Sequence, residues 1–362
     1  MSDERIHLIV LFGGESAEHD VSCTTAAHVL RAADSERYRI TPVGISTDGQ
    51  WALADEAMAA LRTGADTISG RLDPHGSDLS PTPMLAEVTA RDEVAVVLPL
   101  LHGPMGEDGT VQGLLELANV PYVGSGVLGS AVAMDKAMAK QVLTAAGIPQ
   151  ARYRAFPEHE MRPGLPADLV EELGLPVFVK PANMGSSVGV TKAGSIEALR
   201  EAIEHALTYD EMIVVEEAIS GREIEVGVLG NLSPEASAPG EIVPGEEFYS
   251  YVHKYVTDGA QLLIPAPLDE QAAADVRRMA VEAFEAMRCE GLARVDFFYE
   301  MDADGNGRGW LCNEINTMPG FTPISMYPKL WIQSGVTYSE LIDRLVDLAL
   351  ERHSRRRRNT KH

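Results

Sequence analysis

Residues 6–11 (IHLIVL) form a short apolar run, and comparable runs recur at 39–45 (RITPVGI) and 94–98 (VAVVL), with helical patterns between them. Short continuous apolar runs alternating with helices predict buried strands of a parallel α/β sheet. Residues 46–92 are rich in Gly, Pro, Ser and Thr, which predicts a loop-heavy excursion. A helix over about 131–146 is expected to stop at Gly147, Ile148 and Pro149, because Gly followed closely by Pro ends a helix. Beyond it, strands at 177–180 and 212–217 flank a helix from about 196 to 207, whose Ile196, Leu199, Ile203 and Leu207 share one face. A third unit begins near Leu229. It holds a mobile-looking stretch (231–262), a helix at about 271–287 with Val276, Met279, Ala283 and Phe284 on one side, a hairpin at 291–320, and a last helix at about 338–352. The expected division is an N-terminal domain at 1–133, a central domain at 134–228, a C-terminal domain at 229–353 and a basic, disordered tail at 354–362.

The hairpin carries the densest chemistry. It reads GLARVDFFYE, then a Gly-rich turn from Asp302 to Gly307, then WLCNEINTMPG. Side chains two apart on a strand share a face, so Arg294 points with Asp296, and Glu314 with Asn316. If the strands pair with those faces aligned, one guanidinium, two carboxylates and one amide converge. Hard oxygen donors of this kind suit Mg²⁺, which usually brings substrate phosphates with it. The turn resembles a calcium loop, but its twelfth position is Asn313, one residue short of Glu314, and its flanks are strand-like.

A second phosphate device runs from Val179 through Lys180 to Val190 (VKPANMGSSVGV). A lysine ends a strand and a loop of small residues follows, so backbone N–H groups can approach phosphate oxygens beside a point charge. Composition alone also allows an ordinary hairpin here. Lys136 and Lys254 are further phosphate candidates, although each taken singly reads as a surface lysine. Glu216, Glu217 and Glu223 follow an apolar strand and suit either a ribose or amine contact or a solvated acidic edge. In the N-terminal unit, Gly13 to Glu18 follow the first strand, and Leu101 to Gly109 (LHGPMGEDG) follow the third. Both are at strand carboxyl ends, where ligands bind in open α/β sheets. Glu18 either favours a helix dipole or binds a substrate ammonium, and His102 reads as a site residue on a loop. Gly124, Gly126 and Gly129 match GxGxxG, but the position about 20 residues on is the Thr144-to-Gly147 stretch with no acidic group, so no dinucleotide site is expected. No GxxxxGK[ST] occurs.

The net charge of −24 argues against general nucleic-acid or anionic-membrane binding. Cys23, Cys289 and Cys312 are widely spaced, with no CxxC, which suits a reducing compartment. No segment has the apolar length of a membrane span, and the start has no signal-peptide pattern. A cytoplasmic protein is expected. The run of Arg355 to Arg358 reads as a solvated end.

Taken in order, GGESAEHDVS, LHGPMGEDGTVQG, VGSGVLGSAVAMDK, VKPANMGSSVGV, EEAISGREIEV, FYSYVHKY, LARVDFFY and NEINTMPGFTPIS resemble the D-alanine–D-alanine ligase family of the ATP-grasp superfamily. The resemblance covers about residues 8 to 326 and leaves out only 46–92 and the basic tail. It implies an α/β (α+β mixed) chain with an ATP-grasp fold: an N-terminal open parallel α/β substrate domain and two α+β domains enclosing ATP. It implies ATP-dependent joining of two D-alanines through a D-alanyl phosphate, for peptidoglycan precursors. Lys136 and Lys180 would contact ATP phosphates, the loop with Ser186 and Ser187 would close over them, and Lys254 would reach the γ-phosphate. Glu216, Glu217, Ala218, Ile219 and Glu223 would line the adenine–ribose pocket, with Phe248, Phe298 and Asn313 beside the nucleotide. Asp296, Glu314 and Asn316 would hold two Mg²⁺ ions, with Mn²⁺ a substitute. Glu18 would bind the first D-alanine's ammonium, with His102 near its carboxylate. Arg294 and the Gly320 N–H would form the oxyanion site, and Ser325, next to Met326, would bind the second D-alanine's carboxylate. Glu18, Ser186 and Tyr255 would form a hydrogen-bonded set positioning the closing loop, and 249–255 would be the lid. Tyr255 favours D-alanine as second substrate, since members that use D-lactate lack it. Met184 and Glu217 stand where some members have an acidic residue and a lysine. A homodimer and a monovalent cation also follow from the resemblance. The competing expectations are a ligase for D-serine or D-lactate, and a sensor that has lost turnover.

Overall fold

The computed structural model describes residues 5–91, 93–244, 260–301 and 306–356. Three sheets organise them. The first unit runs β1 (Ile6–Gly13), α1 (His19–Ala32), β2 (Tyr38–Ile45), β3 (Trp51–Leu53), α2 (Asp55–Thr63), β4 (Ser77–Asp78), α3 (Pro81–Ala90), β5 (Ala95–Pro99) and α4 (Thr110–Leu117). Its sheet order is β4-β3-β2-β1-β5. β1 pairs in parallel with β2 and β5, as the apolar runs predict. The sheet is nevertheless mixed, because β3 and β4 add antiparallel at one edge. The expectation of a loop-heavy excursion at 46–92 is corrected here. Ser46 closes a tight turn on Gln50, and a turn that short permits only an antiparallel return.

The helix expected at 131–146 is two helices, α5 (Val127–Met134) and α6 (Lys136–Ala145). Asp135 breaks them apart. Its backbone is extended and its side chain accepts from the Met138 N–H, capping α6. The glycine pattern at 124–129 has a packing reason in this place. A Cβ on Gly129 would sit 2.7 Å from the Arg288 carbonyl oxygen.

The second sheet holds β6 (Tyr153–Pro157), β7 (Val177–Pro181), β8 (Thr191–Ala193) and β9 (Met212–Glu217) in the order β6-β9-β7-β8, all antiparallel. α7 (Leu165–Leu173) and α8 (Ile196–Ala206) contribute Leu165, Leu169, Leu199 and Ile203 to its core. The third sheet is built from β10 (Arg222–Gly230), β11 (Glu235–Ala236), β12 (Gly240–Pro244), β13 (Ala260–Leu263), β14 (Gly291–Glu300) and β15 (Gly309–Asn316). β10 pairs with β14 along its whole length. The sheets therefore divide at 218–221, and not at 228/229 where the sequence suggests. α9 (Glu270–Ala286) lays Val276, Met279, Ala283 and Phe284 on this sheet, the face its periodicity predicts. α10 (Met326–Gln333) packs so closely on β10 that a Cβ on Gly227 would lie 2.9 Å from Trp331 Nε1.

α11 (Tyr338–Arg355) starts with a capping box between Thr337 and Glu340. It returns to the first unit, where Leu341, Leu345, Val346 and Ala349 share one core with Leu8, Val10 and Phe12. The tail expected to be solvated from Ser354 is anchored at its start. Arg355 pairs with Glu290 at 2.7 Å and Arg356 pairs with Glu116.

Candidate active site

A cleft of about 710 Å³ lies where elements of all three sheets meet. On its third-sheet wall, β14 pairs with β15 in the register expected from side-chain alternation. Arg294 faces Asn316, and Asp296 faces Glu314. Arg294 Nε and Nη2 donate to the two Asp296 carboxylate oxygens at 2.7 Å each. Asn316 Nδ2 donates to Asp296 Oδ2 at 3.1 Å. Glu225, opposite Asp296 on β10, adds a second carboxylate 3.0 Å from Arg294 Nε. Between Asp296 and Phe297 the partner steps from Glu314 to Cys312. Asn313 is thus the extra residue of a β-bulge, which re-aims side chains. Asn313 and Glu314 both line the cleft although they are neighbours on a strand. Two carboxylates and an amide are too few for an all-protein cage, and among the described residues no three His, Cys, Asp or Glu groups are arranged as one. The donor set does fit Mg²⁺, which keeps water and phosphate oxygens in its coordination sphere.

The side of the cleft formed by α6 and the second sheet carries lysines. Lys136, at the first position of α6, donates to the Met184 carbonyl in the small-residue loop. Burial lowers its pKa, and the Lys180 ammonium adds to this against the pull of Glu314. Lys180 Nζ donates to Glu216 Oε2 at 3.0 Å and lies 3.5 Å from Asn313 Oδ1. Lys140, one turn after Lys136, is buried with its Nζ 3.3 Å from Glu216 Oε1 and 5.2 Å from the centre of the Tyr153 ring. Burial alone would raise the Glu216 pKa, but Lys140 and Lys180 more than offset it and hold the carboxyl below its ordinary range. Ser186 and Ser187 both have left-handed backbones, with φ of 51° and 59°. Two such non-glycine residues in a row are uncommon and mark a loop held for a purpose.

The N-terminal wall brings in the ends of β1 and β5. Glu18 precedes α1 and is buried. His102 is buried, and its Nδ1–H donates to the Met318 carbonyl at 2.9 Å. Its Nε2 has no hydrogen-bond partner among the described residues. Glu107 accepts from the Gly103 N–H at 2.7 Å and the Met318 N–H at 3.1 Å. Burial, with Glu18 nearby, pushes its carboxyl up to about 8 against those two hydrogen bonds. Ser325 directly precedes α10 without capping it by its side chain, and its Oγ instead accepts from the Thr322 N–H at 3.1 Å.

Most residues singled out from the sequence meet in this cleft. Its lining includes Glu18, His102, Lys136, Lys180, Ser186, Ser187, Glu216, Glu217, Ala218, Ile219, Glu223, Arg294, Phe298, Asn313, Glu314, Asn316, Gly320, Ser325 and Met326. Asp296 lies behind Arg294 and Asn316. The Glu217 carboxylate differs from its expected orientation toward nucleotide, being held by the Arg152 backbone and guanidinium and by Arg308 at 2.5 Å. Phe248, Lys254, Tyr255 and the expected lid at 249–255 lie outside the described residues. Lys140, Glu225 and Glu107 escape sequence reasoning. Each had a signal: Lys140 is four residues after Lys136, Glu225 is two after Glu223, and Glu107 lies inside the LHGPMGEDG motif.

Two family models match the chain: D-ala D-ala ligase N-terminus over residues 7–125 and D-ala D-ala ligase C-terminus over residues 142–347. A D-alanine–D-alanine ligase of Acetivibrio thermocellus is 44% identical over 98% of both chains. One of Geobacillus thermodenitrificans is 47% identical over 95% of both. The D-alanine–D-alanine ligase structure from Coxiella burnetii superposes with a TM-score of 0.79 at 35% identity, covering 97% of this chain and 95% of that one. The VanG D-Ala:D-Ser ligase of Enterococcus faecalis gives 0.80 at 33% identity, covering 95% and 99%. Matched along nearly its whole length in sequence and in structure, and sharing their ATP-grasp architecture, this chain belongs to the D-alanine–D-alanine ligase family.

Proposed function

We propose that this chain joins two D-alanines at the expense of ATP, giving D-alanyl-D-alanine, ADP and phosphate for peptidoglycan precursor synthesis. The observation that carries the reading is the meeting, in one cleft, of Lys136, Lys180, Arg294, Glu314 and Asn316 beside Asp296. A carboxylate is a poor acyl donor. The γ-phosphoryl group of ATP is therefore transferred to one carboxylate oxygen of the first D-alanine, and ADP is released. The amine of the second D-alanine attacks the acyl carbon and loses a proton. The tetrahedral centre then collapses, expelling phosphate.

We assign the residue roles in keeping with this placement. Lys136 and Lys180 neutralise ATP phosphates while the left-handed Ser186 and Ser187 hold the loop above them. Glu216, Ala218, Ile219 and Glu223 bound the adenine–ribose end with Phe298. Asp296, Glu314 and Asn316 would hold Mg²⁺, two ions in our reading, with Mn²⁺ able to replace it. When bound, the metal supplies positive charge at the transferring phosphoryl oxygens. Arg294, held by Asp296 and Glu225, turns its guanidinium to the acyl phosphate, and the Gly320 N–H serves the oxyanion. One such donor is typically worth about 3–4 kcal/mol. Glu18 takes the first ammonium, with His102 near the carboxylate of the same D-alanine. Ser325 and the N-terminus of α10 receive the second carboxylate, where the helix dipole favours an anion. Lys254 at the γ-phosphate, Phe248 at the adenine and Tyr255 on the lid complete the set from the sequence.

We further place the enzyme in the cytoplasm as a homodimer formed through the first unit, with a monovalent cation near the nucleotide. Leu117, on α4 of that unit, is an exposed apolar side chain. No helix among the described residues is long and apolar enough to cross a membrane.

The test is ADP release with identification of products across D-alanine, D-serine and D-lactate. D-alanyl-D-alanine should dominate. No ADP with any of them would sink the reading, and a mixed D-alanyl-D-serine product would move the enzyme toward the VanG type. Glu314→Gln should abolish turnover while ATP binding without Mg²⁺ persists.

A further inference from the structure

The segment 317–325, between β15 and α10, contains no strand or helix. Its backbone must be fixed by something other than a ladder or a helical turn, yet it carries the Gly320 N–H. Glu107 supplies that fixing. The residue is 9% exposed, and one carboxylate oxygen takes the Gly103 N–H at 2.7 Å while the other takes the Met318 N–H at 3.1 Å. The Met318 carbonyl is taken by His102 Nδ1–H at 2.9 Å. Met318 is thus gripped at both of its backbone polar groups by one loop of the first unit, 211 residues away for Glu107. Pro319 comes next. It has a fixed φ and no N–H of its own, so the first free-standing donor after the grip is Gly320. Holding Met318, with the Pro319 φ fixed, therefore limits where the Gly320 N–H can lie.

We propose that Glu107 is a positioning residue for the oxyanion site: it ties the 317–320 loop to the wall that holds the first amino acid, so that the Gly320 N–H meets the acyl carbon's oxygen. The inference rests on the function proposed above. It links two parts of the reaction, because the loop that presents Glu107 also presents His102 beside Glu18.

The test uses the full chain and Glu107→Gln. The amide keeps one acceptor and puts an NH₂ donor against the other N–H, so one of the two hydrogen bonds is lost in either orientation. The wild type is first shown to make D-alanyl-D-alanine; failure there sinks the function and not this role in particular. With an active wild type, Glu107→Gln should lower kcat roughly 10–100-fold, somewhat less than outright loss of an oxyanion donor. KM for ATP should stay within about twofold, as expected when only transition-state contacts are lost. Phosphate released per dipeptide should rise, as acyl phosphate waits longer and meets water. Activity is referred to ATP-binding sites, so a fall in folded protein does not mimic the effect. An unchanged kcat per site overturns the proposal, and so does a parallel loss of ATP affinity. If Glu107→Gln is not recovered folded, Glu107→Asp carries the same expectations, since it withdraws the carboxyl group by one methylene while keeping both of its oxygens.

Discussion

Glu216 is buried between two ammonium groups, Lys140 at 3.3 Å and Lys180 at 3.0 Å. The two partners are not equivalent. Lys180 is free to turn to a phosphate, whereas Lys140 is 2% exposed and has the Tyr153 ring as its other neighbour. Removing one member of a buried pair leaves an uncompensated charge, a loss of about 3–5 kcal/mol. Glu216→Gln should therefore lower the urea midpoint sharply, and adding Lys140→Met should recover part of the loss. An additive double variant would show that the two do not interact. The sign with pH follows from the depressed Glu216 pKa. The folded state holds its proton less tightly than the unfolded chain, so this stability is present above the ordinary value of 4.5 and is lost as pH falls through the folded value. The variant's stability should then fall less in acid than the wild type's. The spacing of Lys140 from Lys136 did not mark it as buried, because a lysine on an amphipathic helix reads as solvent-facing. Its burial is decided by β9, which is distant in the chain.

At the scale of elements, strand alternation made the hairpin legible, and the pairing of Arg294 with Asn316 and Asp296 with Glu314 came out in the expected register. The bulge at Asn313 did not, since a bulge depends on how two strands accommodate each other and leaves no periodic trace. The break between α5 and α6 is similar. Apolar spacing runs on through Asp135, and only the cap geometry shows the stop. That stop places Lys136 at a helix start, with its N–H donating to the Ala182 carbonyl beside the phosphate loop. Asp135→Ala should cost about 0.5–2 kcal/mol of stability, as lost caps do. It should also raise KM for ATP, because the two helices can then run together and carry Lys136 off the Met184 carbonyl. A stability loss with KM for ATP unchanged would confine Asp135 to capping.

At the scale of the molecule, the sequence suggested units in chain order, and the structure crosses that order twice. β10 joins β14, although it follows directly on the second sheet. The last helix, α11, completes the core of the first unit. Neither exchange has a local signature, because each apolar face is the same whichever partner covers it. The consequence is that the first unit is not self-sufficient. A fragment ending at residue 125, where the N-terminal family match stops, would lack α11 and expose the face around Leu8 and Val10. It should show no cooperative urea transition. Within the full chain, Leu345→Ala removes a side chain that is 1% exposed and packs with that core. Its expected cost is about 2–5 kcal/mol, in line with other buried leucine truncations. Fluorescence should report the loss at Trp51 in the first sheet and at Trp310 in the third through one shared transition. Two separated transitions, or a folded 1–125 fragment, would mean that α11 merely lies against a domain that stands alone.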